Sequence, residues 1–420
     1  MPTNCWQASV IIMNKKYDLV IVGGGMVGAS LAVALKDSGL SIAIIEAFAW
    51  KDQKQPSFDD RSIALSYGSK KILEAMSVWP SLKDRCQPIK TIHVSDRGYF
   101  GATRLRHTEE NVEALGYVIE NRVMGEVLQQ QLQAMGHVDV IMPATVTEIS
   151  ESAEKVSLVV EQDGKSDELQ TSLLVAADGA MSKVRSMVGI SHRKSDYEQS
   201  AVIANITTEK FHDAVAYERF TDTGPLAFLP MTADQKGESR VSVVWTIKRE
   251  DEETIMQLDD EDFLKKLQQR FGYRLGRLQK TGVRNVYPLA LTESEQLIKD
   301  RVVIIGNAAH GLHPVSGQGF NLALRDVALL AEKLSQYGVQ NPVSWLSEYA
   351  TLREKDMSRV FHFTDSLVKI FSNKFMPLAH ARAAGLMMVD CLPSLRHLLA
   401  KQSMGMLGKM SRMMRGLSLR

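Results

Sequence analysis

The feature that most constrains this chain is a glycine-rich turn that follows an apolar run near the N-terminus. Residues 17–22 (YDLVIV) predict a buried parallel strand, and residues 23–28 (GGGMVG) match the pattern G-x-G-x-x-G. In this pattern Gly23 permits the tight turn, Gly25 lets the backbone approach a pyrophosphate, and Gly28 lets the next helix pack closely on the strand. The turn therefore predicts a nucleotide-binding junction.

The residues after this turn complete a βαβ unit. Residues 26–38 have helical composition and end at Gly39, and residues 41–46 (SIAIIE) predict a second strand. Glu46 ends that strand, where it can accept hydrogen bonds from ribose hydroxyls. An ordinary α/β domain with a glycine-rich turn is the alternative, but it does not predict an acidic residue at this spacing. The unit indicates dinucleotide binding without separating FAD from NAD.

Two later segments have the same strand-to-helix character. Residues 174–179 (LVAADG) bring a predicted strand to Asp178 and Gly179, although a plain β-turn would look the same. Farther on, residues 306–310 (GNAAH) precede a loop in which Gly317 and Gly319 flank Gln318 at the start of a helix. Several backbone N–H groups there can point at one anionic acceptor, such as a reduced flavin.

The third segment also contains a proline and two histidines. Pro314 would stiffen the loop beside such a ring. His310 and His313 lie close together, but the segment supplies no third ligand, so we expect hydrogen bonding and no metal site.

Composition predicts a two-domain α/β protein. Residues 201–246 alternate in a way typical of an antiparallel sheet, which we expect to be inserted into the nucleotide-binding domain. The predicted Rossmann-like domain is discontinuous (13–80, 108–190 and 285–370). The predicted substrate domain comprises 81–107 and 191–284, and a helical basic tail covers 371–420.

Charge and cysteine content exclude several classes of protein. Lys and Arg number 50 against 49 Asp and Glu, which argues against a nucleic-acid partner. Cys5, Cys86 and Cys391 are far apart, so no disulfide framework or metal pair is expected. The sequence shows neither a secretory signal nor an apolar run of membrane-spanning length, so we expect a cytoplasmic protein.

The C-terminal segment is unusual in composition. Residues 391–420 contain six Lys or Arg and no Asp or Glu, and five Met lie between positions 404 and 414. One interpretation is a frayed end or a Met-rich helix packed on the body. The other is a basic amphipathic segment that contacts the inner face of a membrane or a partner protein.

The three motifs, in this order, resemble the class A flavoprotein aromatic hydroxylases of the para-hydroxybenzoate hydroxylase type, and the resemblance runs over nearly the whole chain. It implies a GR2-type FAD-binding domain in which the first motif binds the ADP half of FAD. It also implies that Asp178 and Gly179 touch the pyrophosphate. The third motif, including Gly306, Asn307, Gly317, Gly319 and Asn321, would bind the ribityl chain and flavin. Arg61 and Arg122 match two arginine positions of that family.

One departure from the family pattern is informative. Asn307 stands where the family usually has Asp, and a Gly-Asn-Ala-Ala sequence resembles the branch that hydroxylates 2-polyprenyl-6-methoxyphenol in ubiquinone biosynthesis. Residues 201–205, 217–221 and 224–231 resemble that branch too. The resemblance implies that NAD(P)H reduces FAD, and that a C4a-hydroperoxyflavin then hydroxylates the phenol. Pro314, Gly317 and Gln318 would stabilise the anionic flavin.

The implied polyprenylphenol substrate needs an apolar channel, expected between the antiparallel sheet and the flavin domain. Phe220, Phe228 and Met231 are its candidate lining residues, with plain sheet core as the alternative for each. Two other functions stay open at this point. One is a same-fold hydroxylase of a small soluble phenol, and the other is an inactive flavin-binding scaffold of a biosynthetic complex. The sequence does not predict an oligomeric state.

Overall fold

The computed structural model describes residues 15–50, 61–234, 236–311, 317–371 and 376–419. In chain order the strands are β1 Lys15–Val22, β2 Ile42–Ile45, β3 Ser62–Ser66, β4 Gln87–Ile89, β5 Thr91–Asp96, β6 Ala102–Arg106, β7 Gly116–Glu120, β8 Val138–Ile141, β9 Thr145–Glu151, β10 Val156–Gln162, β11 Lys165–Ala176, β12 His192–Thr208, β13 Val215–Thr221, β14 Gly224–Met231, β15 Arg240–Lys248, β16 Leu278–Thr281, β17 Asn285–Ser294, β18 Ile298–Lys299, β19 Val302–Ile304 and β20 His310–Gly311. The helices are α1 Met26–Ala34, α2 Tyr67–Ala75, α3 Asn121–Gln133, α4 Lys183–Met187, α5 Glu252–Met256, α6 Asp260–Phe271, α7 Gln318–Tyr337, α8 Val343–Phe371, α9 Met376–Cys391 and α10 Pro393–Ser403.

The first sheet is largely parallel and carries the nucleotide-binding motifs. Its strand order is β18-β19-β11-β1-β2-β8, and β1 pairs in parallel with both β11 and β2. Residues 19–22 of β1 and all of β2 are buried, because α1, α3 and α7 cover one face while β9, β10 and α8 lie against the other. The predicted Rossmann-like α/β fold is confirmed.

The second sheet is mainly antiparallel, with the order β20-β17-β12-β15-β14-β13-β5-β6 and with β16 paired to β12. The antiparallel sheet predicted over residues 201–246 is confirmed by β12, β14 and β15. It extends past the predicted boundary at 285, because β17 pairs with β12 along most of its length. A small sheet, β3-β7-β4, packs against this antiparallel sheet through the contact of Val118 and Ile89 with Met231.

The two faces of the antiparallel sheet have different surroundings. On one face, Val202, Leu226, Val243 and Trp245 form a closed apolar core with α6. The alternate residues of the same strands point to the other face, toward the small sheet. The second face is therefore the one that can border a ligand.

The C-terminal segment packs on the protein body. The carbonyl of Met404 accepts a hydrogen bond from the backbone N–H of Gly68 at 2.8 Å, and Met413 and Met414 are buried in the core that contains Leu19 of β1. The packing of a Met-rich stretch on the body is thus confirmed, but the prediction that this stretch is a helix is wrong. After α10 ends at Ser403, the described residues form turns and one short 3-10 helix, Met413–Arg415, and glycines at 405, 408 and 416 with positive φ interrupt the helix. Within the described residues, no helix combines the length and apolarity needed to cross a membrane.

Candidate flavin and substrate site

The first junction, between β1 and α1, is closed by backbone contacts. Gly23 has a φ of +102°, and a Cβ there would lie 2.4 Å from the carbonyl oxygen of Ala177. A Cβ on Gly28 would lie 1.9 Å from the carbonyl oxygen of Gly23, so helix and turn could not keep this separation. Gly25 is the N-cap of α1 and, among the described residues, no side chain caps it. The junction has the shape of a pyrophosphate cradle.

Glu46 supports this turn from the end of β2. Its carboxylate accepts hydrogen bonds from the backbone N–H of Gly24 at 2.6 Å and of Phe48 at 3.0 Å. Burial raises the pKa of this carboxyl above its ordinary value, and the hydrogen bonds from Phe48, Gly24 and Ala47 oppose that shift. The carboxylate lies beside the turn, where the sequence predicted a ribose acceptor.

The three sequence motifs meet in space. A Cβ on Gly23 would lie 2.9 Å from the backbone nitrogen of Asp178, and one on Gly306 would lie 3.1 Å from a methyl of Val27 in α1. Arg185, which follows the second motif, donates a hydrogen bond to the carbonyl of Ala308 in the third at 2.7 Å. The spacing of the three motifs in the sequence does not show that they meet in the folded chain.

The second motif offers an unused acceptor. One oxygen of Asp178 accepts from the backbone N–H of Val184 at 3.1 Å, while Oδ1 is buried without a hydrogen-bond partner in the described structure. Gly179 has a φ of +85°, and open space surrounds the position of a Cβ there. A buried carboxylate oxygen in this state fits a donor from a ligand or a water.

The third junction lies at the start of α7. Gly317 adopts the left-handed conformation with a φ of +57°, and a Cβ there would lie 3.1 Å from Cβ of Ala64. Gln318, the first helical residue, is 3% exposed, and nothing lies within 4 Å of a Cβ placed on Gly319. No side chain of the described residues caps this helix. Pro314 and His313 lie outside the described residues.

Asn321 holds this junction against the end of β3. Its amide oxygen accepts from the backbone N–H of Ser66 at 2.8 Å and from Ser69 Oγ at 2.7 Å. Its amide nitrogen donates to the carbonyls of Ala64 at 2.8 Å and Gly317 at 2.6 Å. These four bonds give Asn321 a positioning role, and its direct contact with FAD stays a prediction.

A buried charge network lies behind the third motif. Asp326 accepts hydrogen bonds from the backbone N–H of Gly306 at 2.9 Å, from Arg353 at 2.7 Å and, at 2.8 Å, shares a hydrogen bond with His310 Nε2. Burial alone would raise the pKa of Asp326, but Arg353 and His310 hold it below its ordinary value. His310 therefore has the hydrogen-bonding role that the sequence predicted.

Asp326 and Arg353 carried no sequence signal, because neither belongs to a motif. Within the described residues, no cluster of three or more His, Cys, Asp or Glu could hold a metal ion.

Asn307, Arg61 and Arg122, the remaining predicted cofactor residues, lie around the edge of the candidate site. Asn307 is exposed in the short turn that follows β19. Arg61 stacks over the ring of Tyr287, with its guanidinium carbon 4.7 Å from the ring centroid. Arg122 is exposed and pairs with Glu126 at 2.9 Å. Contact of these side chains with FAD stays a prediction.

A cavity of about 370 Å³ opens between the small sheet and the second face of the antiparallel sheet. Its lining includes Arg61, Glu120, Ile203, Asn205, Arg240 and Asn285. Polar and charged side chains form much of its rim, and Ile203 extends into it from the sheet.

The structure separates the three candidate substrate residues. Phe228 is fully buried and stacks on Phe271 of α6, with ring centroids 3.8 Å apart, so it belongs to the sheet core on the far face. Met231 is 2% exposed and packs between the antiparallel and small sheets. Phe220 is also 2% exposed and alternates with Arg219, which reaches α6, so Phe220 points toward the second face.

These donors and acceptors fit FAD. Two uncapped helix N-termini can bind anionic groups, and α1 packs directly on α7. Asp178 Oδ1 and the carboxylate of Glu46 are available to hydroxyl donors beside the first helix terminus.

Comparison with known proteins gives the same assignment. Residues 16–364 match the profile of the FAD binding domain family. This chain is a member of that family. The ubiquinone hydroxylase UbiL of Rhodospirillum rubrum is 34% identical over 414 residues, which cover 97% of this chain and 94% of UbiL. The mitochondrial ubiquinone biosynthesis monooxygenase COQ6 of Homo sapiens is 27% identical, over 90% of this chain and 91% of COQ6.

These relatives place the chain in the ubiquinone-hydroxylase branch of the flavoprotein aromatic hydroxylases, as the sequence resemblance predicted. The crystal structure of p-nitrophenol 4-monooxygenase PnpA from Pseudomonas putida superimposes with a TM-score of 0.77. That likeness covers 95% of this chain and 100% of PnpA at 16% identity, and it concerns the fold. The chain is thus an FAD-dependent aromatic monooxygenase by family.

Proposed function

We propose that this protein hydroxylates the aromatic ring of a polyprenylated methoxyphenol in ubiquinone biosynthesis, using NAD(P)H and O2. The observation that carries the proposal is the full-length similarity to the ubiquinone hydroxylase UbiL, joined to a site whose donors suit FAD. Bound FAD would supply the transfer of electrons from NAD(P)H and the activation of oxygen. The chain's own residues bind the nucleotide, orient the ring and exclude water.

The nucleotide half of FAD would lie along the first junction. The N–H groups of the first turn of α1 would bind the pyrophosphate, and Glu46 would accept from the ribose. Gly23, Gly25 and Gly28 keep side chains out of this cradle. Asp178 and Gly179 would lie beside the same pyrophosphate, with Asp178 Oδ1 as the unused acceptor.

The flavin half would lie at the start of α7. Backbone N–H groups of Gln318 and Gly319 would face the ring where negative charge collects on reduction. Gly306 and Asn307 would hold the ribityl chain, with Arg61 and Arg122 at the rim. Asn321 and Asp326 fix the backbone of this junction, so the donors keep one geometry.

A phenol would reach the ring across the second face of the antiparallel sheet. The cavity beside Ile203 opens onto this face, and the other face is closed by α6. An apolar prenyl chain would gain about 25 cal/mol per Å² of apolar surface that it buries against Ile203, Val244 and Ala227 of this face. Phe220 points to this face and remains our candidate for contact with substrate.

Contact with a membrane or a biosynthetic complex is proposed for the C-terminal helices. Met387, Met388, Leu392 and Leu398 of the α9–α10 region are each more than 40% exposed. Residues 391–420 add six Lys or Arg and no acidic residue. Exposed apolar side chains beside basic ones suit an anionic bilayer surface, where a polyprenylphenol would dissolve.

The decisive experiment deletes the gene and profiles cellular quinones. Accumulation of a polyprenylated methoxyphenol with loss of ubiquinone, reversed by re-expression of the intact chain, is the expected result. Unchanged ubiquinone would reject the proposed pathway. A second arm supplies FAD-loaded protein with NADH or NADPH and phenols.

The second arm also distinguishes the two alternative functions. Turnover of water-soluble phenols alone would indicate a small-substrate hydroxylase. FAD binding without any phenol-dependent oxidation of NAD(P)H would indicate a scaffold.

A further inference from the structure

The second face of the antiparallel sheet carries a cross-strand row of half-buried residues. The strand registers align six positions on neighbouring strands, and we call them the central row: Val94, Glu218, Ala227, Val244, Ile203 and Asn285. Every member retains partial exposure. On the opposite face, neighbouring residues of the same strands, such as Phe228, Val243 and Trp245, are sealed against α6. The central row therefore lies on the face of the sheet that α6 does not cover.

The central row begins at the cavity described above. Ile203 and Asn285, at one end of the central row, line that cavity. Glu218 lies three strands from Ile203, which is roughly 14 Å at the usual spacing between strands. A ligand that enters beside Ile203 and follows the row would reach Glu218.

The apolar cluster beside Glu218 leads toward the start of α7. Ala216, two residues before Glu218 on the same face, belongs to one cluster with Val118 of β7, and Ala64 of β3 packs against that cluster. Ala64 in turn contacts the position of Gly317, at the start of the helix proposed to face the flavin. The central row thus lies on the side of the antiparallel sheet that faces the proposed flavin position.

Glu218 is the one ionisable side chain of the central row, and its Oε1 is buried without a hydrogen-bond partner within the part of the chain that the structure describes. Burial raises the pKa of this carboxyl to about 7. A buried acceptor that has no donor among the described residues indicates that a ligand or a water supplies one.

The charged groups around Glu218 do not neutralise it. Strand β14, on one side, has no ionisable residue. On the other side, β5 contributes Asp96 to the same face, and Asp96 is already paired with Arg382 of α9 at 3.0 Å. On β13 itself, Tyr217 and Arg219 point to the opposite face, where both contact Phe271.

We propose that Glu218 binds the phenolic O–H of the substrate and accepts its proton during hydroxylation. This inference rests on the proposed function. The O–H bond of the phenol breaks, an O–H bond forms on Glu218, and the ring is left as the more electron-rich phenolate. The neutral carboxylic acid returns the proton to the phenolic oxygen when the product forms, so no further acid or base is consumed.

The test compares two ligands that differ only at the oxygen. FAD-loaded full-length protein is titrated with 2-prenylphenol and with its methyl ether, 2-prenylanisole, and binding is followed by the visible flavin spectrum. The wild type is expected to prefer the phenol by roughly tenfold or more, the value for a hydrogen bond to a charged acceptor. This preference should grow between pH 6 and 8, as Glu218 ionises.

Three variants complete the test. Glu218→Gln should reduce the preference at least about fivefold and make it independent of pH, while the ether binds as before. Glu218→Asp, which keeps the charge, should restore part of it. Glu250→Gln, which changes an exposed carboxyl paired with Lys248, should behave like the wild type.

The outcomes distinguish the role of Glu218 from the proposed function. A Glu218→Gln variant that still prefers the phenol as the wild type does would overturn the role of Glu218 while leaving the hydroxylase intact. Equal weakening of phenol and ether would also overturn it, since a structural role alone predicts that result. A wild type that binds FAD but neither ligand would reject this inference together with the proposed function.

Discussion

The two helix junctions of the flavin site use a carboxylate in the same way but give it different surroundings. Glu46 accepts from the backbone N–H of Gly24 at the first junction, and Asp326 accepts from that of Gly306 behind the third motif. Asp326 also has Arg353 and His310 as partners, whereas the hydrogen bonds that support Glu46 come from backbone N–H groups. The pKa of Asp326 is accordingly lowered and that of Glu46 raised.

This difference shows which contacts hold the first junction and which hold the third. The described part of the third junction is held by hydrogen bonds from side chains of α7 and α8. The first junction is held by close backbone packing, and its carboxylate has capacity left for a hydroxyl donor. A nucleotide would therefore complete the first junction and dock onto the third.

The largest effect is expected from breaking the charge network of the third junction. Asp326→Asn leaves the Arg353 guanidinium buried without its full counter-charge, which should lower the free energy of unfolding by about 3–5 kcal/mol. Denaturant unfolding of the FAD-free protein measures this change. The control is Glu295→Gln at the exposed pair with Arg193, expected to stay within about 0.5 kcal/mol. Equal losses in both variants would contradict the distinction between buried and exposed pairs.

An intermediate effect is expected at the first junction from a single added methyl group. Gly28→Ala places Cβ 1.9 Å from the carbonyl oxygen of Gly23, so α1 must move away at a cost of about 1–3 kcal/mol or more. FAD affinity should fall at least about tenfold, measured by quenching of flavin fluorescence. Gly136→Ala, where nothing lies within 4 Å, is the matched control and should bind FAD normally. Unchanged FAD affinity in Gly28→Ala would show that the close packing is dispensable.

The smallest effect concerns pH. A ribose hydroxyl that donates to Glu46 favours its charged form, so FAD affinity should decline as acid protonates this carboxyl. Because its pKa is raised, the decline should begin above the pH at which an ordinary Glu titrates, whereas Asp326 stays charged there. We expect a loss of about tenfold, and Glu46→Gln should flatten the profile. A wild-type profile that matches that of Glu46→Gln would exclude Glu46 as the acceptor.

Much of the fold was predictable because its signals are local. An apolar run that ends in glycine indicates β1 and the start of α1. Asp163 followed by Gly164, a pair typical of hairpin turns, forms the turn between β10 and β11 with positive φ at both residues. The motif glycines could be placed for the same reason, since each depends on its neighbours in the chain.

The rest of the site depends on contacts distant in sequence. Asp326 meets Gly306 only because α7 folds back on the strand before it, and Glu218 is aligned with the central row only through the register of β13 with its neighbours. Period-two alternation could place Phe228 and Ala227 on opposite faces, but it could not say which face α6 would cover. That choice decided which aromatic residue belongs to the sheet core.

The burial of Met413 and Met414 in the same core as Leu19 bears on how the chain is made. The strand that contains Leu19 is translated long before the two methionines with which it shares this core. That core cannot close until residues 413 and 414 have been synthesised, so the nascent nucleotide-binding half keeps apolar surface exposed until then.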